Sequence, residues 1–189
     1  MLNIIAGTLS SPLVIVPNSY ESIATVTVGA GGAANVEFTS IPSTYTHLQI
    51  RGIARGTRTE VNSGIDITLN SDTATNYSYH ALYGNATSAL AYAYANQPNM
   101  YTGGILAASS TANCFSPLII DILDYKNTNK YKTLRILCGA EYNSSTFDEI
   151  NLSSGLWRST SAITSIKLTP TFNNHAQYTQ FALYGIKGV

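Results

Sequence analysis

The chain has 189 residues, a formal net charge of zero and only 11% charged residues. This length suits one domain whose core needs no disulfide bonds, and no basic stretch is available to neutralise phosphates, so we expect no nucleic-acid partner. We also expect neither membrane insertion nor a signal peptide, because no apolar run is long enough to span a bilayer and no basic segment opens the chain.

Residues 1–19 are predicted to form an N-terminal arm that precedes a domain of residues 20–189. The arm has two short apolar clusters, and residues 1–16 contain no charged side chain. One interpretation is an edge strand that folds back on its own domain. The other, which we favour, is an arm that docks on another subunit, because adjoining apolar patches mark interaction sites. The candidate assembly residues are Leu2, Ile4, Ile5, Leu13, Val14, Ile15 and Val16.

Alternation of apolar and polar residues, with turn residues between the runs, predicts strands along most of the domain. The first two strands are expected to form a hairpin around the glycine-rich turn at 29–32. The run 115–123 is almost continuously apolar, which indicates a buried strand, and it is expected to form a hairpin with 131–138. The predicted strands are residues 21–28, 33–39, 47–53, 65–69, 115–123, 131–138, 150–157, 163–169 and 177–186.

The tyrosine-rich middle of the chain, residues 70–104, gives no single prediction. Within it, the run ALAYAYA at 89–95 is either a strand with one aromatic face or a loop that lies on the domain. Tyrosine combines a large contact area with a polar tip, which suits an interface or a glycan-binding face. The alternative is that these residues only cap the core. The candidate ligand or interface residues are Tyr79, Tyr92, Tyr94 and Tyr101.

Roughly eight to ten strands and no amphipathic helix of more than two turns predict an all-β fold. An antiparallel sheet with one apolar face must bury that face on a second layer, so we expect a two-sheet antiparallel sandwich of jelly-roll type. Trp157 is assigned to the core, with stacking on a sugar as the alternative. The predicted core residues are Val26, Phe38, Leu48, Ile50, Ile67, Ile120, Leu134, Ile136, Leu152, Trp157, Ile166, Leu168, Phe181 and Leu183.

No residue pattern predicts a catalytic centre, so we expect no enzymatic activity and no cofactor. The three histidines stand in unrelated segments. The close carboxylate pairs, Asp121 with Asp124 and Asp148 with Glu149, are interpreted as polar groups at strand ends rather than as an acid/base pair.

Metal binding is not predicted either. Asp66 and Asp72 flank a loop whose oxygens could hold calcium, but the usual calcium-binding loop sequence is absent. Cys114 and Cys138 lack metal-site spacing and are interpreted as buried free thiols, with a disulfide between adjacent strands as the alternative.

Six segments of the chain carry distinctive linear patterns: MLNIIAGTLS, NSYESIATVTVGAGGAANVEFTSIPSTYTHLQIRGIAR, LNSDTATNYSYHALYGN, IIDILDYKNTNKYKT, GLWRSTSAITSI and FALYGIK. These segments resemble small structural proteins of tailed bacteriophages. The resemblance covers most of the chain apart from parts of 86–113, and it follows linear patterns rather than a catalytic signature. It implies a virion structural protein without enzymatic activity, of the capsid-decoration, head-fibre or tail-fibre type, and no set of functional residues.

The resemblance leads to a definite functional expectation. We expect a virion-located β-sandwich that is anchored to the capsid or tail through its arm, with other virion proteins as partners. A homo-oligomer is expected, a trimer being one symmetric form that it could take. The alternative is a receptor- or glycan-binding tail-tip module that contacts a host surface glycan. A hydrolase is disfavoured because the acid/base set is missing.

Overall fold

A computed structural model describes residues 19–85, 87–142 and 148–188 and shows twelve β-strands there. No helix occurs in these ranges, and therefore none that is long and apolar enough to cross a membrane. The strands are β1 (Tyr20–Thr27), β2 (Val36–Phe38), β3 (His47–Ala54), β4 (Asn62–Leu69), β5 (Tyr77–Asn85), β6 (Ala89–Gln97), β7 (Met100–Leu106), β8 (Ser116–Leu123), β9 (Lys132–Ala140), β10 (Glu149–Trp157), β11 (Ile166–Pro170) and β12 (Gln180–Ile186).

The strands form two antiparallel sheets packed as a sandwich. The larger sheet has eight strands in the order β1-β12-β3-β8-β9-β10-β5-β6, and the smaller has four in the order β2-β11-β4-β7. The predicted all-β, two-sheet antiparallel fold is therefore confirmed, whereas the jelly-roll connectivity stays a prediction. The first 18 residues, with all seven candidate assembly residues of the arm, lie outside the described residues.

The core lies between the two sheets because successive side chains of a strand point to opposite faces. Strands β8 and β9 alternate almost perfectly between buried and exposed positions. The core prediction is confirmed for the buried residues Phe38, Leu48, Ile50, Ile67, Ile120, Leu134, Ile136, Trp157, Ile166, Leu168, Phe181 and Leu183.

Two core predictions need correction. Leu152 is 48% exposed, because the inward positions of β10 are taken by Asn151, Ser153 and Gly155 instead. Val26 is only half-buried, since β1 is an edge strand and packs against the border of the core.

Several strand predictions also change in the folded chain. The first two strands do not form a hairpin, because β1 pairs with β12 in the larger sheet and β2 with β11 in the smaller. The β8–β9 hairpin is confirmed. β6 is a strand with its tyrosines on one face, which decides between the two interpretations of 89–95. The sequence prediction missed β5 and β7.

The prediction that 115–123 is a buried strand is wrong for half of its side chains. Ile119 is 36% exposed and Leu123 is also exposed, because β8 faces the smaller sheet on one side only. The apolar residues on the other side of β8 belong to a surface, which is described next.

Candidate interaction surfaces

The outer face is the side of the larger sheet that points away from the smaller sheet, and it carries an unusual row of aliphatic side chains. Ile119 lies opposite Leu137, Leu137 opposite Leu152, and Leu152 opposite Leu82. Leu137 is 44% exposed and Leu82 is 58% exposed. Because directly opposite residues of adjacent antiparallel strands share a face, the four side chains form one continuous row across β8, β9, β10 and β5.

A second row runs beside the first on the same face. Ile53 lies opposite Pro117, and Ile150, at 61% exposure, lies opposite Gly84 and Gly139. The two rows together are the apolar band, which spans four strand spacings from β3 to β5, or about 19 Å. Contiguous apolar patches of this kind on soluble proteins mark interaction sites. The apolar band consists of Ile53, Leu82, Pro117, Ile119, Leu137, Ile150 and Leu152.

A polar row borders the apolar band and neutralises its own charges. The Asp121 carboxylate accepts hydrogen bonds from Gln49 Nε2 at 2.6 Å and from Arg135 Nη2 at 2.7 Å. Arg135 lies opposite Ser154, which lies opposite His80. A depression of about 420 Å³ lies between this row and Ile119, Leu137 and Leu152. The outer face therefore offers a partner an apolar, shallowly concave surface with little unpaired charge.

The second surface is formed by tyrosines on the opposite side of β5 and β6. We define the tyrosine cluster as Tyr79, Tyr83, Tyr92 and Tyr94. The ring centroids of Tyr79 and Tyr94 are 5.5 Å apart, those of Tyr92 and Tyr94 5.8 Å, and those of Tyr83 and Tyr92 5.6 Å. The structure thus brings together three of the four candidate tyrosines and adds Tyr83, which belongs to the tyrosine-rich middle of the chain but was not among the four candidates.

The tyrosine cluster has a fixed base and an open tip. Asn151 Nδ2 donates a hydrogen bond to the Tyr92 hydroxyl at 3.1 Å, and burial raises the pKa of Tyr79 to about 12. Tyr94, by contrast, is 52% exposed, and Leu90 on the same face of β6 is also exposed. A cluster of packed aromatic rings in which one ring faces solvent can contact either a ligand or a protein partner.

The fourth predicted tyrosine, Tyr101, is positioned by β7 of the smaller sheet. Its ring packs so closely on Gly64 that a Cβ at that glycine would lie 2.2 Å from the ring. Burial raises the pKa of the Tyr101 hydroxyl, and the nearby groups of Glu149 and Tyr92 raise it further. Tyr101 is therefore a packing residue beside the tyrosine cluster rather than a member of it.

Three of the carboxylates that could have carried chemistry, Asp72, Asp124 and Asp148, are held by structural partners. Asp124 is paired with Lys130, and Asp148 accepts a hydrogen bond from the Tyr142 backbone at 2.6 Å. Asp72 accepts a hydrogen bond from the Trp157 indole nitrogen at 2.7 Å, which ties that turn to the core. Across 19–85, 87–142 and 148–188, no three His, Cys, Asp or Glu residues are grouped to hold a metal ion.

The remaining candidate groups also have structural surroundings. Cys114 and Cys138 are both free; Cys138 is buried, which raises the pKa of its thiol, whereas Cys114 is only half-buried. His175 is fully buried with Nε2 3.2 Å from the Leu168 carbonyl oxygen. The buried Lys132 ammonium donates hydrogen bonds to the carbonyl oxygens of neighbouring turns and so fixes them.

The apolar band was missed at the sequence level, although a signal for it exists. In a strand with one buried face, apolar residues alternate with polar ones. In β8 and β9 the positions that face inward and those that face outward are both apolar over short runs, as in Leu118-Ile119-Ile120 and Ile136-Leu137-Cys138. Such runs indicate either burial on both faces or an apolar exposed face, and only the position of the second sheet distinguishes the two.

Comparison of the chain with protein-family models, with curated proteins and with solved structures finds no match in any of the three.

Proposed function

We propose that this chain is a non-enzymatic structural subunit of a tailed-bacteriophage virion, a decoration or fibre-type protein held on the capsid or tail by its N-terminal arm. The resemblance of its segments to small phage structural proteins supplies the setting. The observation that carries an assembled role is the apolar band on the outer face of the larger sheet. In the particle, a neighbouring subunit covers this band.

The physical argument rests on the free energy of exposed aliphatic groups. Burying one such side chain fully yields roughly 1.5–3 kcal/mol, and the members of the apolar band are already held in place by a rigid sheet. The conformational entropy that these side chains lose on association is therefore small compared with the loss for a flexible segment. The charges of Asp121 and Arg135 are already paired within the chain, so their burial leaves neither of them unpaired. Arg51, which lies opposite Ile119 at the border of the band, donates a hydrogen bond from Nε to Gln49 Oε1 at 2.9 Å.

A paired substitution tests this role. Leu137→Lys with Leu152→Lys places two charges opposite each other in the middle of the apolar band. The matched control is Glu37→Lys, which changes the net charge by the same amount and places a lysine opposite Lys167 on the smaller sheet, away from the band. We expect the first variant to fold normally, to form smaller assemblies than the unmodified chain and to be missing from purified particles, while the control behaves like the unmodified chain. Normal incorporation of the Leu137/Leu152 variant contradicts the proposal.

A second candidate function, binding of a host surface glycan by a tail-tip module, is supported by the exposed ring of Tyr94 above a fixed aromatic base. Tyr94→Ala removes the exposed ring without touching the hydrogen bond between Asn151 and Tyr92. Under this alternative, adsorption to host cells falls while particle assembly stays normal. Unchanged adsorption removes the glycan-binding candidate.

A further inference from the structure

The edges of the two sheets differ in how open they are to another strand. An exposed edge is a template for pairing, and proteins usually block it with short strands, bulges or charges. β1 has a bulge after Ser22 and carries Glu21, which is ion-paired with Lys187. β2 has only three residues. β7 has an irregular pairing with β4, and Gly103 within it has φ of 116°.

The remaining edge, β6, carries none of these devices over most of its length. Its nine residues, ALAYAYANQ, include no charged side chain and no proline. A register shift and the positive φ of Asn96 are confined to its C-terminal end, which leaves Ala89–Tyr94 regular. In the part of the chain that the structure describes, the backbone of Ala89–Tyr94 pairs only with β5. Among the described residues, the outward edge of this stretch therefore has no backbone partner.

The sequence of β6 is nearly symmetric about Tyr92. Reading away from Tyr92 in either direction gives an alanine, then Leu90 or Tyr94, then another alanine. The outer face carries Ala89, Ala91 and Ala93, and the other face carries Leu90, Tyr92 and Tyr94. A strand with this symmetry matches itself in antiparallel orientation, side chain for side chain.

We propose that β6 pairs antiparallel with β6 of a second copy of this chain about a two-fold axis at Tyr92, so that two larger sheets join edge to edge. Tyr92 of one copy then lies opposite Tyr92 of the other. In the same way, Leu90 lies opposite Tyr94 of the second copy, and Ala91 lies opposite its Ala93. Main-chain hydrogen bonds supply the attraction, and alternate side chains set the register. Such a contact is isologous, which means that both copies use the same surface, so it produces a closed dimer. The chain has no net charge to oppose it.

This interface is separate from the apolar band, and the proposed β6 pairing does not depend on whether the band is also an interface. It also gives the tyrosine cluster a role, because the exposed rings of Tyr94 and the side chain of Leu90 are covered by the second copy. Glycan binding requires the Tyr94 ring to stay exposed, whereas edge pairing through β6 covers it. The experiment can therefore distinguish the two roles.

The test uses the full chain with the apolar band blocked by Leu137→Lys and Leu152→Lys. Sedimentation should give twice the chain mass of 20.2 kDa. Adding Ala91→Lys with Ala93→Lys should halve that mass, because like charges then face each other across the axis. Adding Ala91→Glu with Ala93→Lys instead should keep the doubled mass, since opposite charges then face each other. Equal masses for these two variants, or a band-blocked chain that is already monomeric, overturn the proposal.

A cross-link checks the register independently. In a Cys114→Ser background, Tyr92→Cys should form a disulfide-linked dimer under mild oxidation, because directly opposite residues of an antiparallel pair lie within disulfide range. Ala89→Cys is the matched control: it sits on the same edge but does not face itself, so it should stay unlinked. Equal linking of the two variants overturns the register. A monomeric chain whose glycan binding is lost in Tyr94→Ala also overturns the edge pairing and assigns the ring to a ligand.

Discussion

Asp66 and Asp72 lie six residues apart, yet their surroundings shift the pKa of their carboxyl groups in opposite directions. Burial raises the pKa of Asp66 to about 6, and within the described residues no hydrogen bond or ion pair supports its charged form. Partial burial also works against ionisation of Asp72, but hydrogen bonds from Asn76, Trp157 and Ala74 outweigh it and hold its pKa below the usual value. One carboxylate therefore weakens the fold at neutral pH, and the other supports it.

We predict that Asp66→Asn stabilises the protein at neutral pH. The folded chain keeps the Asp66 proton up to about pH 6, whereas the unfolded chain releases it near 3.8, so the free energy of unfolding falls as pH rises through this window. The variant should gain on the order of 1–3 kcal/mol at pH 7 and nothing below about pH 4. Denaturant unfolding at the two pH values measures the gain, and an equal gain at both contradicts the argument.

Asp72→Asn is the control of opposite sign. Because the pKa of Asp72 is lowered in the folded chain, its contribution is present at neutral pH and is lost as pH falls through that lowered pKa. The variant should therefore be less stable than the unmodified chain at pH 7, and the difference should shrink in acid. Stabilisation by Asp72→Asn at pH 7 would show that the hydrogen bonds from Trp157 and Asn76 do not favour the charged form.

At the scale of elements, close contacts decide where strands may carry a side chain at all. Gly185 in β12 lies under the ring of Tyr45, and a Cβ there would come within 2.3 Å of the ring. The ring is held by a hydrogen bond that the Tyr45 hydroxyl donates to Glu21 at 3.1 Å. The loop before β3 is thus packed directly on the backbone of β12 and connected to β1.

We predict that Gly185→Ala destabilises the fold by about 1–3 kcal/mol, the usual cost of overpacking a rigid neighbour. Thermal unfolding followed by circular dichroism measures the change. Gly29→Ala serves as the control, since nothing lies within 4 Å of a Cβ at that position, and it should change stability by less than about 0.5 kcal/mol. A Gly185→Ala variant as stable as the control would mean that the Tyr45 ring moves aside at no cost.

At the scale of the whole molecule, the described sandwich contains its own core, from Val28 to Leu183. The arm is uncharged over residues 1–16, and its role as an anchor is a proposal. If the proposed anchoring role holds, folding and attachment depend on different parts of the chain. The stability of the sandwich should not depend on the arm, whereas attachment to the particle should require it.

We predict that deleting residues 2–16 leaves the unfolding temperature of the sandwich unchanged but prevents incorporation into particles. A chain in which these residues are replaced by a Gly/Ser segment of equal length controls for the loss of length. Circular dichroism follows the unfolding, and quantitative mass spectrometry of purified particles gives the copy number. Normal copy number of the truncated chain would remove the anchoring role of the arm.

The sequence by itself determined the all-β class and most of the core, because period-two alternation is a local property. Residues such as Leu48, Ile50 and Leu168 are flanked by polar neighbours, so their inward direction can be predicted without knowing which strands lie beside them. The β8–β9 hairpin was also predictable, since the two strands follow each other in sequence and only residues 124–131, which include turn residues, separate them.

Only the tertiary structure decided which sheet each strand joins and which apolar face is left uncovered. β1 and β2 are neighbours in sequence but pair with β12 and β11, since pairing depends on partners more than a hundred residues away. Ile119 lies in an apolar run that either face could bury, whereas Leu152 stands between Asn151 and Ser153 and has the alternation of an inward residue, yet it points outward. The four-stranded sheet covers one side of the eight-stranded sheet, and this places both residues in the apolar band.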